Sequence, residues 1–230
     1  MKDEPGTRDH ILNPEEPSPG RRAVGLTGKE VRLRVLLVTV ICAALIGVAS
    51  FLIVGPKLDA ISEDENDRLR GTPRSDTIFG GPGVDLVLGG RGDDHLYGGE
   101  DPDGLFGGAG NDFLYTGGLG GTAQGGRGDD ELFGGYELDR LDGAAGADRL
   151  FGAAGDDRLE GGRGDDFLRG GRGNDSLFGE SGRDTMFGGE GDDFIYSADG
   201  TPKEAVDCGP GAHDTAFIDK GDVAVNCENH

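Results

Sequence analysis

The chain has 230 residues, of which 47 are Gly, 44 are Asp or Glu and 22 are Lys or Arg, so its formal net charge at pH 7 is −22. This excess of acid argues against a nucleic acid partner, because phosphates would be repelled, and it favours cations. The hydrophobic fraction of 34% is typical of disorder, unless an internal repeat builds a core that the bulk composition hides.

Three segments come before any repeat. Residues 1–34 are polar and contain several prolines, and we predict a disordered cytoplasmic arm there. Residues 35–54 carry no charge over 20 positions. A helix of that length spans about 30 Å, the thickness of a bilayer core. We therefore predict a transmembrane or signal-anchor helix over 35–54, followed by a charged linker over 55–70.

The charges on either side of this segment predict its orientation. Basic residues between Arg21 and Arg34 precede it, and acids that begin at Asp59 follow it. By the positive-inside rule the N-terminus stays in the cytoplasm and the rest of the chain lies at the cell surface. The alternative is a cleaved signal peptide with small residues Gly47 and Ala49 near the cleavage site, in which case the protein is secreted.

From Gly71 to Tyr196 the sequence divides into 14 consecutive units of nine residues without an insertion or deletion. We number these units 1 to 14 and the positions within each unit place one to place nine. Seven units match Gly-Gly-x-Gly-x-Asp in full. Place six is Asp in all units except the one with Gly121, and place eight is large and apolar in all except the one with Ala123. The glycines permit a tight turn, and the residues after Asp favour a short strand whose place-eight side chain points into a core.

This pattern resembles the RTX, or haemolysin-type, calcium-binding nonapeptide repeat. The resemblance implies an all-β fold, a right-handed parallel β-roll (a β-helix solenoid) over 71–196. In that fold two units make one coil, which gives about seven coils. The resemblance also implies that each Ca²⁺ lies between the turns of units i and i+2, on alternating edges of the roll. The predicted metal ligands are the place-six acids Asp76, Asp85, Asp94, Asp103, Asp112, Asp130, Asp139, Asp148, Asp157, Asp166, Asp175, Asp184 and Asp193.

The number of calcium ions follows from counting suitable pairs of turns. Stacked carboxylates repel one another, and a hard dication that takes 6–8 oxygen ligands joins them. Pairs of turns with Asp at place six and Gly at place four predict about seven strong sites. Up to three weaker sites involve turns in which Arg74, Asp101 or Glu137 occupies place four. Five of the strong sites lie on the edge of the odd units and two on the edge of the even units.

Place nine points away from the core, and on the odd units it is mostly aromatic. We predict a row of six exposed rings there, a candidate surface for a protein or glycan partner. The alternative is that neighbouring rings stack and stabilise the sheet. The six rings are those of Phe79, Tyr97, Tyr115, Phe133, Phe151 and Phe187.

After Tyr196 the nine-residue phase breaks, and we predict a C-terminal cap over 197–230, since the end coils of a solenoid need a distinct cover. Cys208 and Cys227 close a loop of about 20 residues, and we predict a disulfide between them in an oxidising compartment. A metal pair is the alternative, which no further Cys or well-placed His supports.

The sequence contains no H-E-x-x-H, G-x-S-x-G or P-loop pattern, so we predict a protein that is not an enzyme. The expected function is that of an exported, membrane-anchored Ca²⁺-binding module that folds on binding calcium and acts at the surface or in adhesion. The alternative is an accessory or relic calcium-binding module of a secreted hydrolase or toxin system.

Overall fold

The computed structural model describes residues 60–62 and 66–228. Every regular element in this part of the chain is a β-strand. No helix within it is long and apolar enough to cross a membrane. The helix predicted over 35–54, and the arm over 1–34, lie outside the described residues.

Nineteen strands form two parallel sheets, and consecutive strands alternate between the two sheets. Ten strands form what we call the odd sheet. They are, in order across the sheet, β1 (Ala60–Ile61), β3 (Thr77–Gly81), β5 (His95–Gly99), β7 (Phe113–Gly117), β9 (Glu131–Phe133), β11 (Arg149–Ala154), β13 (Phe167–Arg172), β15 (Thr185–Glu190), β17 (Ala205–Asp207) and β19 (Val223–Val225).

The other nine strands form the even sheet. In chain order they are β2 (Arg68–Arg70), β4 (Leu86–Arg91), β6 (Asp103–Ala109), β8 (Gly121–Arg127), β10 (Asp139–Ala145), β12 (Arg158–Arg163), β14 (Ser176–Ser181), β16 (Phe194–Tyr196) and β18 (Thr215–Phe217).

The register of the strands shows that two units make one coil. Leu96 in β5 pairs with Leu114 in β7, and Val87 in β4 pairs with Leu105 in β6, so each strand lies beside the strand 18 residues further on. The predicted all-β parallel solenoid is therefore confirmed.

The predicted count of about seven coils is wrong, because 19 strands in two sheets make about nine turns. The roll extends past 71–196 at both ends. Leu69, in the segment predicted as linker, is 2% exposed and takes the inward position of β2. Val206 and Ala216, in the segment predicted as cap, do the same in β17 and β18. An end coil needs a parallel neighbour and one inward apolar side chain, and it can form without the glycine pattern.

The core of the roll is a column of place-eight side chains, and each of them is fully buried. Along every strand the inward positions are place six, place eight and place one of the next unit, as the two-residue alternation of a strand requires. Ala123 occupies its level of the column as a smaller member of the same set. The column consists of Ile78, Val87, Leu96, Leu105, Leu114, Ala123, Leu132, Leu141, Leu150, Leu159, Leu168, Leu177, Met186 and Ile195.

The turns explain why place two is glycine in ten of the fourteen units. Gly90, at this place, has φ +124°, a conformation that costs a glycine little. The three units that depart from glycine only at place two keep the left-handed backbone, with φ +74° at Ala144, +82° at Ala153 and +67° at Glu180. The neighbouring coils thus impose the turn even where the side chain disfavours it.

The predicted disulfide is confirmed. Cys208 and Cys227 are bonded, with their Cα atoms 5.2 Å apart. The bond joins the residue after β17 to the segment after β19, and so ties the last strand of the odd sheet to the roll.

The predicted row of aromatic rings exists, but its membership differs from the prediction. Phe79 stacks on Tyr97 with ring centroids 4.6 Å apart. Place-nine Tyr115 is 39% exposed. Its level is filled instead by place-seven Phe113, whose ring lies 5.7 Å from that of Tyr97 and 5.3 Å from that of Phe133.

The same replacement occurs where Arg169 occupies place nine. Phe167, at place seven of that unit, lies 5.7 Å from Phe151 and 5.5 Å from Phe187. Seven rings therefore form one continuous ladder on the odd sheet, one ring on each of the seven strands from β3 to β15. Because the rings face one another, most of their faces are covered by neighbours, which favours the role of stabilising the sheet.

Candidate calcium sites along the two edges

All thirteen place-six aspartates lie at the end of a glycine turn and point into the roll, where each is at most 3% exposed. The structure arranges them in two rows. The odd row contains Asp76, Asp94, Asp112, Asp130, Asp148, Asp166 and Asp184, and the even row contains Asp85, Asp103, Asp139, Asp157, Asp175 and Asp193.

One oxygen of these carboxylates has a regular hydrogen-bond partner. The backbone N–H of ten of the thirteen aspartates donates to Oδ1 of the aspartate 18 residues later in the chain; the exceptions are Asp103, Asp184 and Asp193. The N···O distance is 2.8 Å from Asp94 to Asp112 and 2.7 Å from Asp130 to Asp148. The carboxylates therefore connect consecutive coils along each edge.

The other oxygen, Oδ2, is buried without a hydrogen-bond partner in eleven of the thirteen aspartates; the two that differ are Asp76 and Asp139. A buried polar atom left without a partner costs about 1–3 kcal/mol, and more when it is charged. A regular series of such atoms points to a ligand that supplies the missing partner.

The orphan oxygens face carbonyl oxygens of the next coil. A methyl carbon built on Gly89, at place one, would lie 2.5 Å from Asp94 Oδ2 and 2.7 Å from the carbonyl oxygen of Gly107. Two acceptor oxygens therefore lie close to the same small space, and the carboxylate oxygen has no hydrogen-bond donor. Glycine is needed at place one because any side chain there would displace these oxygens, and a cation between the coils would satisfy both.

The donor set suits calcium. No cluster of three or more His, Cys, Asp or Glu side chains that could hold a metal occurs within the described residues, so a site must include backbone carbonyls. Carboxylate and carbonyl oxygens at distances of about 2.3–2.6 Å, with 6–8 ligands, are the preference of Ca²⁺. Zinc prefers nitrogen and sulfur ligands.

The electrostatics also favour a bound cation. Burial raises the pKa of Asp94 to about 7 and that of Asp130 to about 8, and neighbouring carboxylates add to the rise. Burial likewise raises the pKa of Asp184 to about 8. Ionised carboxylates in these positions need a positive charge close by.

Sequence reasoning missed two acids that continue the rows beyond the repeats. The N–H of Asp184 donates to Glu204 Oε1 at 3.2 Å, and the N–H of Asp193 donates to Asp214 Oδ1 at 2.8 Å. Asp214 is fully buried and its Oδ2 is also an orphan. Short insertions shift both acids out of the nine-residue phase, and the remaining signal is an acid directly before a short strand with one inward apolar residue.

A second ladder of side chains at place five was also missed. Asp93 Oδ1 accepts from the N–H of Asn111 at 2.9 Å, and Asn111 Oδ1 accepts from the N–H of Asp129 at 3.0 Å. These bonds lie on the exposed outside of the turns, opposite to the buried acids. The pairs of acidic or amide residues before each strand were the signal for this ladder, which holds the turns in register.

The model of the RTX calcium-binding nonapeptide repeat matches this chain in overlapping stretches at residues 62–96, 88–123, 115–150, 124–159, 133–168 and 169–201. Together these stretches cover more than half of the sequence, and the chain belongs to this family. No curated protein matches the chain. The two sheets, the repeated turns and the buried acids thus form a calcium-binding RTX β-roll repeat domain.

Proposed function

We propose that this protein is an exported, membrane-anchored and non-catalytic calcium-binding module, which folds on binding Ca²⁺ and acts at the cell surface or in adhesion. The observation that carries the proposal is the series of buried aspartate oxygens without partners, most of which lie near a carbonyl oxygen of the next coil.

Coupling between calcium and folding follows from the position of these acids. They lie between coils, so a cation bound there joins chain segments 18 residues apart. Such a site does not exist in the unfolded chain, and the free energy of binding therefore becomes free energy of folding. A chain that stays unfolded at low internal calcium and folds outside is also easier to export.

Two features support export and anchoring. The Cys208–Cys227 disulfide is of a kind that persists in oxidising compartments. The uncharged sequence over 35–54 is long enough to cross a bilayer as a helix.

A non-catalytic role is supported by where the buried ionisable groups lie. In the described part of the chain they are all members of the two acid rows, or the cap residues Glu204 and Asp214 that continue them. These groups are committed to linking the coils.

Calcium titration of the purified full-length chain in detergent micelles tests the proposal. Far-UV circular dichroism should change from coil to β as Ca²⁺ passes the range of about 10⁻⁴–10⁻³ M, with about seven to ten ions bound by calorimetry. Mg²⁺, which demands a tighter octahedron, is the control. A spectrum that is identical in calcium and in chelator would refute the coupling of calcium to folding.

Export and adhesion need a separate measurement on intact cells. Protease added outside should remove the repeats in chelator and spare them in calcium. Attachment of the cells should fall when Asp130→Asn and Asp148→Asn are introduced together, while the amount of exported chain stays the same. Repeats that resist external protease in chelator, and are cleaved only after the cells are lysed, would contradict export.

A further inference from the structure

Unit 6 differs from all other units at the two places that build a calcium site. It has Thr116 at place one, where the other thirteen units have Gly, and Gly121 at place six, where they have Asp. Thr116 is fully buried, and its hydroxyl donates to Asp139 Oδ1 at 2.8 Å. Asp139 Oδ2 accepts from the N–H of Gly135 at 2.6 Å, so this carboxylate has no orphan oxygen.

The two exchanges in unit 6 are sterically linked. A methyl carbon built at Gly143 would lie 2.5 Å from Asp148 Oδ2 and 2.6 Å from the carbonyl oxygen of Gly161 in the next coil. A place-one side chain therefore competes for space with the carboxylate of its own unit, and it also requires the neighbouring carbonyl to move. Gly121 removes that conflict for Thr116, and the threonine side chain takes space that a carboxylate would otherwise hold.

A second buried hydroxyl at place one behaves in the same way. Ser197 follows the last complete unit, is 1% exposed, and its hydroxyl donates to Glu204 Oε2. The other oxygen of Glu204 accepts from the N–H of Asp184. Both oxygens of this acid are therefore paired, and neither is an orphan.

The strands around unit 6 show that its coil is joined by backbone bonds. β6, β8 and β10 have seven residues each and are the longest strands in the described part of the chain. They begin at place six, with Asp103 paired to Gly121 and Gly121 paired to Asp139. The parallel ladder thus runs through the position where other units have a turn acid with an orphan oxygen.

From these contacts we infer that Thr116 and Ser197 are metal-independent links that end the cation rows. Thr116 interrupts the even row between Asp103 and Asp139, and Ser197 closes the odd row after Asp184. At both levels a hydroxyl donates to a carboxylate whose two oxygens are both paired, so no orphan oxygen is left for a cation to satisfy. The inference rests on the proposed function, since it assumes that the other levels of the roll hold calcium.

The hydroxyl itself is tested by two variants of the full-length chain in saturating calcium. Thr116→Val keeps the shape of the side chain and removes the hydroxyl, which leaves Asp139 with only its two backbone donors, the N–H groups of Gly135 and Gly121. The thermal midpoint should fall by about 5 °C, with the number of bound calcium ions unchanged. Thr116→Ser keeps the hydroxyl and should behave like the wild type. Equal midpoints for Val and Ser, or a gain of calcium in Val, would overturn the inference.

Moving the exchange to another unit tests whether the two places act together. Gly143→Thr alone should lower the midpoint most, because the new side chain meets Asp148. Adding Asp148→Gly should raise the midpoint part of the way, because it removes the contact with Asp148 and leaves the one with the Gly161 carbonyl oxygen, although the chain then binds one or two fewer ions. Recovery of folding by the combined variant supports the inference even if Gly143→Thr alone does not fold. A combination no more stable than Gly143→Thr alone would overturn it.

The outcomes separate this inference from the proposed function. If the wild-type chain binds no calcium, the proposed function fails by calorimetry. The difference between the Thr116→Val and Thr116→Ser midpoints still reports whether the hydroxyl links the coils.

Discussion

The half of each coil built from odd units and the half built from even units share one apolar column, yet they join neighbouring coils differently. On the odd half the acid row runs without a break from Asp76 to Asp184, and a ladder of seven rings covers the outside of the sheet. On the even half Gly121 breaks the acid row, and most rings are absent near the same level.

Polar contacts replace the rings on the even half. Gln124 donates to Asp142 at 2.8 Å, and Glu160 receives Arg158 at 2.6 Å and Arg140 at 3.2 Å. Solvent-exposed pairs of this kind contribute about 0–1 kcal/mol each. The backbone hydrogen bonds between strands and the buried place-eight column are therefore enough to continue the roll. Bound ions and stacked rings stabilise the odd half more than the even half. We expect most of the calcium dependence to lie on the odd half.

The largest effect should come from removing acids in the uninterrupted row. Asp130→Asn with Asp148→Asn should lower the free energy of unfolding in calcium by roughly 3–5 kcal/mol, because the buried calcium ions at these levels lose their carboxylate partners. The matched pair on the even row is Asp85→Asn with Asp103→Asn. Its loss should be smaller, because the row ends at Gly121. Urea unfolding in saturating calcium measures both, and equal losses would contradict the comparison.

Loss of the disulfide should have the next largest effect, confined to one end. Cys208→Ser should lower the free energy of unfolding by about 3 kcal/mol, the loop entropy of a bond closing about 20 residues. A methyl carbon built on Gly188 would lie 2.5 Å from the Cys208 carbonyl oxygen and would also contact Asp193 Oδ2. We therefore expect the last even-row site to weaken as well.

Hydrogen exchange measures this prediction directly. Protection should fall in β16 to β19 and stay unchanged in β5 to β9. Cys42→Ser, which leaves the disulfide in place, is the control. A uniform loss of protection over the whole roll would show that the disulfide acts beyond its own end.

Much of the fold could be predicted because the repeat is regular. A period of nine with one apolar place and one acidic place determines the strands, the buried column and the two acid rows. The ends could not be predicted from this pattern, because Leu69 and Val206 extend the roll where the glycines are missing. Pairing with a formed coil is a tertiary effect that a local motif does not encode.

The candidate site was predictable to the level of residue type and not to the level of contacts. The thirteen acids lie in two rows along the edges of the roll, but their burial was not predicted, and the linked exchange of Thr116 and Gly121 had no sequence signal beyond a degenerate unit. Its meaning depends on the short distance between place one and place six, which follows from the turn geometry. The sequence likewise did not show that Phe113, and not Tyr115, packs between Tyr97 and Phe133, because that depends on how the rings of neighbouring coils fit together.

A smaller effect should distinguish the ring ladder from exposed rings. Phe113→Ala should lower the free energy of unfolding by about 2 kcal/mol, because the ring bridges Tyr97 and Phe133. Tyr115→Ala, two residues away on the same strand, should change it by no more than about 0.5 kcal/mol. Thermal unfolding in calcium measures both variants. A larger loss for Tyr115→Ala would assign the ladder to place nine throughout.

The smallest effect should be a difference in how protons compete with calcium at Asp130, on the odd row, and at Asp103, on the even row. Burial raises the pKa of Asp130 to about 8 on the odd row, and that of Asp103 to about 6 on the even row, from an ordinary value of 3.8. Because a raised pKa means that the metal-free fold binds protons more tightly than the unfolded chain, the metal-free fold gains stability as pH falls from 8 toward 4. Calcium needs the ionised form, so calcium affinity should fall over the same range.

The sites that include Asp130 and Asp103 should therefore lose calcium at different pH values. At subsaturating calcium, lowering the pH from 8 to 6.5 should release ions near Asp130 before those near Asp103, and carboxyl carbon chemical shifts follow each site. Asp130→Asn, which cannot titrate, should remove the earlier transition and leave the later one. Simultaneous release of the ions near Asp130 and near Asp103 would mean that calcium binds cooperatively across both rows, despite the break in the even row at Gly121.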